Sequence, residues 1–376
     1  EHRASTALIA TRRDLPRLGQ AETSDGYVRL LGLISHEYFH TWNVKRLKPT
    51  AFAPYDLTAE NHTRMLWFFE GFTSYYDDQF LLRTGLIDRP TYLKLLTKAI
   101  NQVRTTPGRF SYSVGQASFD AWTRYYRPDE NTANATVSYY TKGALVGLAL
   151  DLCLRLLPTT EAGQPSLDGV MKALWGLKRP ITAADVAQAL NEVAGQPPNT
   201  EALRNADAAA PSWHALLHRW TEGCDEIPLP RLLAAVGVQW LSKAAPLPQR
   251  LGMRLSEAQN VLKVQAVMRG GAAETAGLSA GDECLALDGW RLRRIEDLTQ
   301  WHHTERAQAL LVCRDQRLLT LTLPALGNPV AAKASDAPLC AADVVGLTLA
   351  DAAVIIANGQ DATVVTQRRD AWLGTR

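Results

Sequence analysis

His36-Glu37-Tyr38-Phe39-His40 constrains this chain more than any other stretch. Residues four apart on an α-helix lie one above the other, so a helix here aims both imidazoles at one metal ion. Glu37, one position along, reaches a water at that ion without being a ligand itself. The pattern His-Glu-x-x-His is the zinc-binding and general-base signature of a metallopeptidase helix. The approach Tyr27-Val28-Arg29-Leu30-Leu31-Gly32-Leu33-Ile34 is apolar, as a buried helix requires, and predicts a helix over 26–47. A chain with eight histidines also yields such a pair by chance, so a third ligand has to decide.

Zinc catalysis takes three protein ligands and leaves one position open. The first helix is expected to run out near Lys48-Pro49, with a loop through Pro54. Asp56 or Thr58 then caps a second helix over about 59–82. Two carboxylates on that helix could reach back, Glu60 and Glu70. Glu70 lies in the apolar run Leu66-Trp67-Phe68-Phe69-Glu70-Gly71-Phe72, where an unpaired carboxylate is costly and a cation is needed. Glu70 is therefore preferred to Glu60. Asp77 or Asp78, further along, could orient a ligand histidine through its second nitrogen. The other histidines carry less. His214 and His218 share the spacing, but Ala215 stands where a base would be, so a packed helix face is expected. His302 and His303 read as surface or groove residues on a helix, and His62 as a cleft residue at most.

The stretches Ser35 to Pro49, Pro54-Tyr55-Asp56-Leu57 and Trp67 to Tyr76 together resemble the glycyl aminopeptidase family of gluzincins. The resemblance implies an α+β chain whose mainly helical catalytic domain is thermolysin- or aminopeptidase-like. It also implies Zn²⁺ held by His36, His40 and Glu70, with Glu37 as general base. Ser138-Tyr139-Tyr140-Thr141-Lys142-Gly143 is similar to the relatives' Tyr-x-Lys-Gly motif, whose tyrosine stabilises the tetrahedral intermediate. That role falls on Tyr140, with Tyr139 as the alternative. Glu1-His2-Arg3-Ala4-Ser5 looks like the end of the family's Gly-Gly-Leu-Glu-His-x-x-Ser segment, without its glycines. Glu1 would hold the free amino group of a substrate. A chain that opens inside this motif is expected to be N-terminally truncated and to lack the family's β-rich first domain. The expected substrates are peptides with a free N-terminus and a small first residue, glycine or alanine.

Length, charge and cysteine usage set wider bounds. The chain has 376 residues, 46% of them hydrophobic and 21% charged, enough for two or three domains. A net charge of +2 with interspersed signs excludes nucleic acid as an expected partner. The apolar run from Ala144 to Leu157 contains Asp151 and Arg155 and reads as a buried helix, so no membrane span is expected. Five scattered cysteines without ligand spacing are expected to be reduced thiols, which favours a cytoplasmic location.

Helical patterning over about 20–240 marks a catalytic region set at 1–245, with a long ordered loop expected over 105–134 and a connector over 191–211. The pattern changes at Pro246-Leu247-Pro248. Strand composition over Val261 to Val267, the segment Ala276-Gly277-Leu278-Ser279-Ala280-Gly281-Asp282 and the hairpin signal Asp288-Gly289 resemble a PDZ domain over 250–326. A last hairpin turns at Arg314-Asp315-Gln316-Arg317. In such domains the region matching Leu251-Gly252-Met253 offers backbone amides to a peptide C-terminus, so Gly252 and Met253 are the candidate contacts. A packing module is the equally weighted alternative. Residues 327–376 read as an Ala-rich tail of no legible role. Three functions follow: a zinc aminopeptidase, a zinc endopeptidase with the same chemistry, or a peptide-binding scaffold with a non-catalytic metal site. No cysteine near the motif offers a fourth ligand, which favours catalysis.

Overall fold

The computed structural model describes residues 4–19, 23–161, 163–198, 203, 212–326 and 342–374. The chain is α+β, a helical body followed by a small β-rich module. The body's first helices are α1 (Asp25–Phe39), α2 (Leu66–Phe69), α3 (Gly71–Arg83) and α4 (Arg89–Arg104). Next come α5 (Val114–Phe119), α6 (Thr132–Ala135), α7 (Tyr139–Arg155) and α8 (Leu167–Gly176), then α9 (Ala183–Ala194), α10 (Trp213–Thr221) and α11 (Leu229–Ala234).

α1 starts where the Ser24 hydroxyl accepts from the Tyr27 amide. It ends at Phe39 and not near Lys48, because the chain is pulled out of the helix just after His40. Asn43, fully buried, donates to the carbonyls of Phe68 (3.4 Å) and Phe69 (3.3 Å) and to the Thr73 hydroxyl (3.2 Å). The next residue, Val44, takes φ 117°, a conformation a β-branched side chain rarely adopts. The tertiary anchor on α2 and α3 overrides the local helical pattern.

The expected second helix is also shorter. Asp56 closes its own loop by accepting from the Thr58 amide and hydroxyl, while Asn61 donates to the Asp56 carbonyl. Helix begins only at Leu66, and α2 and α3 join at Glu70, whose φ of −96° and ψ of −43° bend the chain between them. The apolar run then buries Trp67, Phe68, Phe69 and Phe72 against α7. α7 is the axis of the body, with Val146 and Leu148 to Leu154 all buried.

The region 105–134, read as a loop, is a series of short helical pieces. A 3₁₀ turn spans Pro107–Phe110, and α5 opens with a reciprocal Ser113–Gln116 capping box. A π turn over Ala121–Tyr125 follows, then α6. The strong capping signals were local, but each piece is too short to show a helical period.

The module is built on β2 (Met253–Ala258), β3 (Val261–Val267), β4 (Glu283–Leu287), β6 (Gln308–Arg314) and β7 (Arg317–Leu323), in the order β2-β3-β4-β6-β7, with the short β5 (Trp290–Arg291) paired to β4. Helices α12 (Leu247–Arg250), α13 (Ala272–Thr275) and α14 (Ile295–Trp301) pack on it. Asp288 and Gly289 both take positive φ, 48° and 84°, as the tight hairpin between β4 and β5 demands. Asp315 and Gln316 do the same between β6 and β7. Leu251, Leu262, Leu287, Leu298 and Leu310 form a core separate from that of the body.

Residues 342–374, within the region read as a tail, instead complete the body. β8 (Asp343–Leu349) pairs antiparallel with β1 (Val238–Ala244) from Val238–Leu349 to Ala244–Asp343. Helices α15 (Ala352–Ala357) and α16 (Ala362–Leu373) follow, and Trp372 enters the main core at 1% exposure. The Trp372 indole donates to the Tyr75 hydroxyl (3.2 Å), and Arg155 donates to the Ala371 carbonyl (2.6 Å). Strand pairing between segments a hundred residues apart leaves no local trace, which is why the region looked unpatterned.

Candidate active site

The four-residue spacing in α1 stacks the two imidazoles, with His36 Nε2 and His40 Nε2 3.1 Å apart. Glu70, at the bend between α2 and α3, brings Oε2 to 3.3 Å from His36 Nε2 and 3.1 Å from His40 Nε2. Each ring's other nitrogen is engaged elsewhere. His36 Nδ1 lies 3.1 Å from Asp77 Oδ2, and His40 Nδ1 lies 2.8 Å from the Asn43 carbonyl. With a metal in place, those acceptors would hold the proton on Nδ1 and leave both Nε2 lone pairs for the ion. Donor atoms around a tetrahedral ion at zinc–nitrogen distances stand about 3.3 Å apart, so the three atoms fit a four-coordinate metal with one position free. One donor atom each from His36, Glu37 and His40 also lies within 4.8 Å of the others, which puts Glu37 at the same point.

The charge balance agrees. Burial pulls the His36 pKa down, but the Asp77 and Glu70 carboxylates outweigh it and raise it to about 10. Burial pushes Glu70 up, and the hydrogen bonds from His36 and His40 more than reverse this, to about 2. The carboxylates of Glu70 and Asp77 thus favour positive charge at this point.

The cavity in front of these groups is about 640 Å³ and is lined by Thr6, Ser74, Tyr126 and Tyr140 beside the motif residues. Tyr140 stands with its ring 6.1 Å from that of His36. Burial and the Glu70 carboxylate raise its pKa, so the phenol stays protonated as a donor at neutral pH. A second cavity of about 980 Å³ meets the first at Glu70 and continues past Lys45, Tyr55 and Trp122.

The other candidates are placed as follows. Glu60 is exposed on the loop before α2. Asp77 faces His36, and Asp78 does not. His62 lies against Phe119, His214 and His218 are exposed on α10, and His302 and His303 fall just after α14 instead of within a helix. Glu1 lies outside the described residues, although Thr6, soon after it, donates to Glu37 Oε2 at 3.2 Å. Gly252 donates its amide to the Gln249 carbonyl (3.0 Å) and abuts Gly271, where a Cβ would come to 2.8 Å of the Gly271 Cα. Met253 is buried in the module's core. No motif or spacing pointed to Tyr126 in the wall of the site. It follows the π turn, a feature frequent at functional sites but invisible in a pattern of five residues.

Residues 29–146 match the family model of the M61 glycyl aminopeptidases, and residues 240–323 match that of the PDZ domain. The chain is also similar to the crystal structure of an aminopeptidase N family protein from Idiomarina loihiensis, with 31% identity and a TM-score of 0.80. The alignment covers 99% of this chain and 59% of that one. No curated protein matches the chain.

Proposed function

We propose that this chain, which carries an M61 glycyl aminopeptidase domain followed by a PDZ domain, is the catalytic part of a zinc aminopeptidase of the gluzincin type. The convergence of His36 Nε2, His40 Nε2 and Glu70 Oε2, with Glu37 beside them, carries this reading. His36, His40 and Glu70 would hold the ion, which when bound acidifies a water and polarises the scissile carbonyl. Glu37, beside both histidines, would accept a proton from the attacking water and pass it to the leaving amine. Tyr140, kept as a neutral phenol, donates a hydrogen bond to the oxygen on which charge develops. Cleavage at the first residue is the reading favoured by the chain's opening segment. Lys45 donates to the Ser5 carbonyl (3.0 Å) and Thr6 reaches Glu37, so Ser5 and Thr6 lie along the cleft. Glu1 would anchor the substrate's amino group, and glycine or alanine would be the residue removed.

The PDZ domain would take peptide C-termini along β2, the end strand of its sheet, beside Gly252 and Met253, whose own amide (Gly252) and side chain (Met253) are already engaged. Cys153, Cys224, Cys284 and Cys313 are free thiols, which supports a reducing, cytoplasmic setting, and no helix among the described residues is long and apolar enough to cross a membrane.

The experiment compares glycyl and alanyl peptides with their N-acetylated forms, using wild type and Glu37→Gln protein of measured zinc content. Cleavage of the free peptides alone is expected, with at least about a hundredfold loss in the variant at unchanged metal content. Equal cleavage of the blocked peptides would make the enzyme an endopeptidase. Zinc-free protein with undiminished activity would end the metallopeptidase reading.

A further inference from the structure

α7 carries Tyr140 towards the metal site and, two positions on and roughly 200° around the helix, Lys142 away from it. Lys142 lines a separate cavity of about 410 Å³, within the range of small-molecule sites. Ile100, Leu145, Ile227 and Trp240 give the cavity an apolar lining. Three cations and two carboxylates complete it: Arg104, Arg109, Lys142, Glu226 and Asp343. The carboxylates are already engaged. Arg104 pairs with Asp343 at 2.5 Å and Arg109 with Glu226 at 3.0 Å. Lys142 is 2% exposed, and among the described residues its ammonium reaches only the Arg109 carbonyl, at a long 3.4 Å. A buried ammonium without a carboxylate partner is expensive unless an anion arrives to pair with it.

We propose that this cavity is a binding site for a small amphipathic carboxylate, whose head pairs with Lys142 and whose apolar body lies against Leu145, Ile227 and Trp240. The one uncompensated positive charge selects a monoanion, and the apolar lining selects a hydrocarbon body over an inorganic ion. Burial, only partly offset by Glu226, lowers the Lys142 pKa, as expected for a site that is whole only when an anion is present. The site does not depend on the metal chemistry. Acyl carboxylates and the C-terminal carboxylates of apolar peptides share the required chemistry.

The test is calorimetric titration of octanoate, N-acetyl-leucine and acetate into the full chain, with Lys142→Met and Ser242→Trp as variants. Ser242 is an exposed residue lining the cavity, so the indole should obstruct entry without altering the buried side. One-site binding of octanoate or N-acetyl-leucine, weakened at least tenfold in both variants, is the expected result, and the tighter ligand identifies the source. Absence of binding by both at millimolar concentration would overturn the proposal. So would binding that survives the variants, or acetate binding as tightly as octanoate. If Lys142→Met fails to fold, Ser242→Trp decides by itself.

Discussion

Gly71 and Gly143 meet backbone to backbone. A Cβ on Gly71 would lie 2.5 Å from the Gly143 Cα, and one on Gly143 would lie 2.5 Å from the Trp67 carbonyl oxygen. The contact locks the α2–α3 bend onto the start of α7, one residue after Glu70 and three after Tyr140. A glycine in each motif therefore sets the distance between a metal-ligand candidate and the candidate oxyanion donor.

Gly143→Ala should force the two elements apart. Overpacking of this kind costs about 1–3 kcal/mol, and displacement of Tyr140 should lower turnover more than metal content. Melting temperature, zinc stoichiometry and kcat measured together check this; unchanged turnover would mean the contact serves packing alone.

Asp77→Asn should weaken metal binding by about ten- to a hundredfold, since it removes the charge that fixes His36 by its Nδ1. Asp78→Asn, on a side chain that does not touch the ring, is the control. Metal affinity by competition with a chelator distinguishes them, and equal effects would remove Asp77 from its orienting role.

Tyr140→Phe should keep the metal and lose about a hundredfold or more in kcat, as deletion of an oxyanion donor does. If turnover is unaffected, the donor is another phenol, with Tyr126 the first to test because it lines the same cavity.

The module's acid stability should depend on Asp282. Burial pushes its pKa up, but Arg314 (2.7 Å) and the Ser279 amide (2.9 Å) hold it below the usual aspartate value. A depressed folded pKa means that the stabilisation is complete above the unfolded value of about 4 and is lost as pH falls through the folded one. Residues 250–326, expressed alone, should fold and lose stability below about pH 4, and Asp282→Asn should flatten that loss. Chemical denaturation between pH 2 and 7 reads it. A disordered spectrum at neutral pH would refute the independent fold.

The meeting of His36, His40 and Glu70 was legible because its determinants are local. The four-residue histidine spacing needs only a helix, and Glu70 stands out because the ring of Trp and Phe residues around it leaves a carboxylate nowhere else to go. What escaped was set by distant contacts. The end of α1 depends on Asn43 reaching Phe68, Phe69 and Thr73. Tyr126 enters the wall by way of a five-residue π turn. β8 has no meaning until β1 is beside it, and its own residues are only mildly strand-forming.

The pairing of β1 with β8 also decides how the PDZ domain is mounted. The chain leaves the body on one strand of a ribbon and is back on the other, while Asn134 grips the module a third time at the Val267 carbonyl (2.8 Å) and the Arg269 amide (2.9 Å). A domain hung from a single linker swivels, but one clasped at its exit, its return and its flank keeps a bearing. Tension on the module would pass into the ribbon and on to Asn101 of α4, which holds the Val345 backbone through both its amide atoms. The module is thus a bracket fixed to the helical frame, and cutting the chain beyond it would remove the frame's own last beam.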